Sequence, residues 1–160
     1  MLAACAHTPP PPEPKQILLP DGKTVEERIE RDFSGRVVRV FQEYRDTAGN
    51  YVRHGSDRRY YRYGQPKYAE QYRDGKLEGL SEFWYENGAK QGELPYHDGK
   101  PHGQALTWYP NGKKKSETNW TDGRLDGTSR EWNEKGEKTG EVLWRNNIRV
   151  KADSLKTPEP

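Results

Sequence analysis

Asp74-Gly75-Lys76-Leu77-Glu78-Gly79-Leu80-Ser81-Glu82-Phe83-Trp84-Tyr85-Glu86-Asn87-Gly88-Ala89-Lys90-Gln91-Gly92-Glu93-Leu94-Pro95-Tyr96-His97 decides the fold, because the chain beyond it repeats its landmarks. The tetrads Asp74-Gly75-Lys76-Leu77, Asp98-Gly99-Lys100-Pro101 and Asp122-Gly123-Arg124-Leu125 are spaced by 24 residues, and Asn146-Asn147 opens at the same distance. Inside each segment the order is constant: Gly79, Gly103, Gly127; Trp84, Trp108, Trp132; Gly88, Gly112, Gly136; Tyr96, Trp120, Trp144. A fixed period without insertions is the mark of a repeat array in which each unit packs on its neighbours. One step back, Gly55, Tyr60, Gly64 and Tyr72 define a degraded copy, and Asp21-Gly22-Lys23 with Gly35 a more divergent one with an insertion near Thr47-Ala48-Gly49. The copies are therefore read as 21–49, 50–73, 74–97, 98–121 and 122–145.

Each copy reads as a β-hairpin. Glu86-Asn87-Gly88, Pro110-Asn111-Gly112, Glu134-Lys135-Gly136 and Tyr63-Gly64 mark the tips, and the Asp-Gly pairs mark the links between copies. Lys135 and Tyr63 are poor residues for positive φ, whereas glycine follows every time, so the tip is predicted as a type I turn closed by a glycine bulge. That loop places Trp84 opposite Lys90. Continued alternation would put Gly92, Leu94 and Tyr96 on the Trp84 face, with Gln91, Glu93, Pro95 and their equivalents Lys115, Glu117 and Asn119 facing water. The predicted fold class is all-β: an elongated, single-layer antiparallel meander of ten strands over residues 21–150, roughly 45 to 50 Å long at the usual strand spacing.

Composition narrows the function classes. Of 160 residues only 30% are hydrophobic and 32% are charged, with mean hydropathy −1.28, so a large closed core is not expected. The apolar content is concentrated in Tyr 10, Trp 5 and Phe 3. A net charge of +2 gives no global field for nucleic acid, and His7, His54, His97 and His102 are scattered without zinc-ligand spacing. No metal, cofactor or nucleic acid is therefore expected. Glu93, Glu117 and Glu141 recur on the polar face among lysines, as a solvated surface would, and no nucleophile or phosphate-loop motif is present, so no catalysis is expected.

The N-terminus reads differently from the rest. Leu2-Ala3-Ala4-Cys5-Ala6 resembles a bacterial lipobox, and Thr8-Pro9-Pro10-Pro11-Pro12-Glu13-Pro14 follows as a stiff spacer. Residues 1–20 are thus expected to be a tether lipidated at Cys5, and residues 151–160 a disordered tail. Alanine after the cysteine resembles outer-membrane sorting, which places the chain on the periplasmic side; without lipidation the location would be cytoplasmic.

The pattern Asp-Gly-Lys-x-x-Gly, an aromatic pair, Asn-Gly-Lys and a closing aromatic resembles MORN repeats, in the bacterial variant of YwqK-type antitoxin and immunity proteins. Departures are Asn133 in place of the second aromatic and Gln65-Pro66 after Gly64. The resemblance implies a non-catalytic, monomeric module that captures a protein partner, in its most specific form a secreted toxin. An envelope scaffold and a carbohydrate or peptidoglycan binder are the alternatives. Tyr61, Phe83, Tyr85 and Tyr109 are the expected contact residues, with Trp84 and Trp108 packing between copies or sharing contact.

Overall fold

A computed structural model describes residues 14–150. Cys5, most of the proline-rich spacer and residues 151–160 lie outside the described residues. Every element described is a strand, and all fifteen belong to one sheet. The first five are β1 (Lys15–Leu18), β2 (Thr24–Arg31), β3 (Val37–Arg45), β4 (Tyr51–Tyr60) and β5 (Pro66–Arg73). The regular copies follow: β6 (Lys76–Leu77), β7 (Gly79–Trp84) and β8 (Lys90–His97); β9 (Lys100–Pro101), β10 (Gly103–Trp108) and β11 (Lys114–Thr121); β12 (Arg124–Leu125), β13 (Gly127–Trp132) and β14 (Lys138–Arg145); then β15 (Ile148–Val150). The expected long strands are all present in sequence order, with β1 and β15 added at the two edges.

Two expectations about the first copy are corrected. The sheet begins at Lys15, inside the stretch read as a tether to residue 20, because Ile17 pairs with Val25 and Val25 is the one buried hydrophobic side chain among the described residues. Asp21-Gly22 is also not a link of the later kind. Gly22 N–H donates to Leu19 O and Leu19 N–H to Lys23 O, a three-residue loop that recurs at Asp46–Asn50 across the insertion.

The regular copies use two turns with different jobs. At each tip the three-residue loop forms as expected: Gly88 N–H donates to Tyr85 O and Tyr85 N–H to Ala89 O, both at 2.9 Å, with Gly88 at φ 84°. At each link a two-residue turn puts both members at positive φ, 49° at Asp98 and 78° at Gly99. Aspartate tolerates that region better than most residues and glycine is free to enter it, which is why Asp-Gly marks this position. The links stack along one side of the sheet: Gly99 N–H donates to Leu77 O, Gly123 N–H to Pro101 O and Asn147 N–H to Leu125 O.

A register shift beside each tip decides which residues share a face. Phe83 pairs with Gly92, but the next residue, Trp84, pairs with Lys90, leaving one extra residue on β8. Strand β7 itself alternates without interruption, so Gly79, Ser81 and Phe83 share one face, together with their partners Tyr96, Leu94 and Gly92. Trp84 lies on the other face with Glu82, Glu93 and Lys90. The expectation that Trp84 and Tyr96 share a face is therefore overturned, because it counted alternation through the bulge.

With one layer there is no closed core, and burial is produced by neighbours on the same face. Among the described residues, besides Val25 and Gly92, the buried residues are polar: Arg39, His54, Asp57, Ser81 and Glu117. Hydrogen bonds between copies stand in for apolar packing. Tyr61 Oη donates to Trp84 O at 2.8 Å, Tyr85 Oη to Trp108 O at 2.8 Å and Tyr109 Oη to Trp132 O at 2.9 Å.

Candidate functional site

The two faces differ in chemistry. On the Trp84 face a charged ladder crosses the strands. Glu82 opposes Glu93, and Lys90 neutralises the pair by bridging both carboxylates. Glu117 opposes Arg130, accepts from its guanidinium at 2.6 Å and from Lys114 at 3.1 Å, and is only 8% exposed. Those bonds, Arg130 first and Lys114 second, hold the Glu117 carboxyl below the ordinary glutamate range. The lysine of one copy also covers the tryptophan of the next: Lys90 Nζ lies 5.6 Å from the Trp108 ring and Lys114 Nζ 5.1 Å from the Trp132 ring. Glu117 is thus not the solvated residue the alternation implied; it is the centre of an internal network. The face is charged, and its opposite charges are largely paired with one another.

The Phe83 face is built differently. Along the link side stand Tyr72, Tyr96, Trp120 and Trp144, each directly opposite a glycine: Gly55, Gly79, Gly103 and Gly127. Along the tip side stand Tyr61, Tyr85 and Tyr109. Between the two rails the side chains are tall in the earlier copies, where Tyr68 pairs with Phe83 and Ser81 lies buried opposite Leu94, and short in the later ones, where Ala105 opposes Thr118, Gly92 opposes Thr107 and Thr107 opposes Ser116. Rings on both margins and the short residues at Thr107 and Ser116 make a shallow trough over the later copies. At its far end Tyr109, Lys115, Ser116 and Glu131 line an open cleft of about 380 Å³.

The structure brings Tyr61, Phe83, Tyr85 and Tyr109 to one face, and puts Trp84 and Trp108 on the other. It also assigns the tyrosines a task that the sequence did not disclose, since their hydroxyls stitch one copy to the next. Sequence reasoning missed the floor residues, because Ser, Thr, Ala and Gly at a recurring position look like turn or surface chemistry until the register shows them side by side. Arg59 joins this face as well, its guanidinium 4.8 Å above the Tyr68 ring.

Among the described residues the one buried histidine belongs to the scaffold. His54 is 3% exposed; Asp74 N–H donates to its Nδ1 at 3.1 Å, and its Nε2 meets Asp21 Oδ2 at 2.7 Å. Glu78 and His102 occupy the equivalent place in the next copies and take the N–H of Asp98 and Asp122. His54 therefore caps a link turn. The hydrogen bonds from Lys23 and Tyr44 hold the Asp74 carboxyl down at about 2. Among the described residues no group of His, Cys, Asp or Glu is arranged to hold a metal ion, and no helix is long and apolar enough to cross a membrane.

Residues 77–98 and 101–122 match the MORN repeat variant. The two matched segments are similar to MORN repeats, a family that serves in general as non-catalytic modules that bind proteins or membranes. No curated protein matches the chain.

Proposed function

We propose that this chain is a non-catalytic repeat module that binds a protein partner along the Phe83 face, the partner lying across several copies. The observation that carries the reading is the asymmetry of the two faces. The Trp84 face has largely satisfied its charges internally, whereas the Phe83 face offers two aromatic rails with short side chains between them at Thr107 and Ser116. Aromatic rings around a depression are the usual source of binding energy at interfaces. Among the neighbouring copies, the rails supply the same contact at each step of the repeat, so affinity grows with the number of copies engaged.

The narrower reading is an envelope-held immunity protein that blocks a toxin. It is supported by the resemblance of the repeat pattern and by the lipobox-like Leu2-Ala3-Ala4-Cys5. A photo-crosslinking amino acid placed at Thr107, on the trough floor, or at exposed Gln104, on the opposite face, separates the possibilities in living cells. A discrete protein adduct at Thr107 and none at Gln104 supports the trough. Adducts at Gln104 alone would move recognition to the charged face. If the captured protein is a toxin, co-expression of this chain should restore growth; a captured protein without toxicity would leave the module and remove the immunity role.

A further inference from the structure

One row of the Phe83 face can be followed through consecutive pairings across the sheet: Arg59 with Tyr68, Tyr68 with Phe83, Phe83 with Gly92, Gly92 with Thr107, Thr107 with Ser116 and Ser116 with Glu131. The row continues through Arg39 to Glu30 on one side and to Gly140 on the other; of its charged members, Glu30 and Arg39 pair with each other. Among the described residues, the ion pairs around these positions join Arg39 and Arg53 to Asp57, and Arg130 to Glu117 and Glu141, and leave out both Arg59 and Glu131.

Arg59 is the less usual of the two. It lies directly opposite another arginine, Arg39, whose own charge is satisfied by Asp57 and Glu30. Its Nε is buried without a hydrogen-bond partner, and the Oε1 of Gln65, in the same hairpin, is in the same condition. Buried polar groups are nearly always paired, so the guanidinium of Arg59 has not used all its donors within the chain. Arg59 remains half-buried rather than enclosed, and Glu131 is exposed, so both can be reached from the trough.

We infer, resting on the trough reading above, that the partner enters as an extended segment with an acidic side chain at Arg59 and a basic one at Glu131. Arg59 can accept a carboxylate through its planar donor fork while Tyr68 covers its face. The spacing follows from geometry. Six strand steps at about 4.8 Å separate the two charges by roughly 29 Å, and an extended chain rises about 3.3 Å per residue, so the acid and the base stand about nine residues apart. The segment must lie on the Tyr68 and Phe83 rings before it passes over Thr107 and Ser116.

A phage-displayed library of random 15-residue peptides, panned on the purified chain, tests this. Enriched peptides are expected to carry an acidic and a basic residue eight to ten positions apart. Arg59→Gln should weaken a selected peptide by about tenfold or more, as truncation of one partner of a close charge pair does. Arg59→Lys, which keeps the charge, should bind it more tightly than Arg59→Gln, and both variants should keep the circular dichroism of the parent. Thr107→Arg, which fills the floor, should abolish binding. If Thr107→Arg abolishes binding but the peptides lack the charge spacing, or Arg59→Gln binds them unchanged, the trough stands and the charge assignment is overturned. If Thr107→Arg has no effect, or no peptide is enriched, the trough and the charge assignment fall together.

Discussion

At the scale of single residues the molecule is stabilised by polar groups placed where other folds place hydrocarbon. Glu117 is the clearest case, since it is buried and bonded to Arg130 and Lys114 on either side. Glu117→Gln removes the negative charge and leaves two cations facing each other, so it should destabilise the chain by on the order of 1–3 kcal/mol. Urea denaturation would measure this, and an unchanged midpoint would refute the role assigned to the network. Asp74 contributes to the pH dependence, beside Asp32, Asp98 and other carboxylates that are likewise lowered. Its carboxyl is lowered from 3.8 to about 2 by the bonds from Lys23 and Tyr44, so the stability it confers is complete above its ordinary value and is lost as pH falls from about 4 to about 2. Asp74→Asn should flatten that limb of a thermal-midpoint profile; an equally steep acid loss in the variant would assign it to other carboxylates.

At the scale of the hairpin the tyrosine after each tryptophan is the joint between copies. Tyr85→Phe deletes one hydroxyl and should cost about 0.5–1.5 kcal/mol, the net value of a typical hydrogen bond. Tyr85→Ala removes the ring as well and should cost more, so loss of partner binding in that variant must be judged against its stability. Calorimetric midpoints of the two variants distinguish the joint from a purely solvent-facing contact residue, for which Tyr85→Phe would be neutral. Asn133 at the corresponding place of the last full copy fits the same logic. No further tip follows it among the described residues, and its side chain instead accepts from Lys135 N–H and Glu137 N–H within its own loop.

At the scale of the whole sheet the copies are interchangeable in register. Deleting residues 98–121 removes one full period and brings Tyr85 against Trp132, so the shortened chain should fold with the same strand spectrum and be shorter by roughly 10 Å, two strand spacings. Small-angle scattering would read the length. Deleting residues 98–109 instead removes half a period, sets a tip against a link, and should leave the chain unfolded; two deletions of equal effect would contradict the repeat as the unit of stability. The edges are the remaining feature of this scale. Strand β15 covers only the last residues of β14, at Leu143, Trp144 and Arg145, and so ends the regular array with a short, partial strand.

The sequence by itself determined the period, the all-β class, the positions of tips and links, and the type of tip loop. Each of those depends on residues whose local conformational preference is strong, above all the Asp-Gly links and the glycine that closes every tip, and the recurrence of Gly88, Gly112 and Gly136 repeats the signal. The faces were decided only in the folded sheet. One extra residue opposite Trp84 inverts the alternation for everything beyond it, and a bulge of that kind is set by how two strands close together, which the pattern of one strand does not record. For the same reason Tyr61, Tyr85 and Tyr109 were legible as aromatic but not as joints, and Arg59 and Glu131 as charged but not as members of one row. Their meaning lies in partners brought beside them by pairings between separate hairpins, and such neighbours exist only once the sheet has formed.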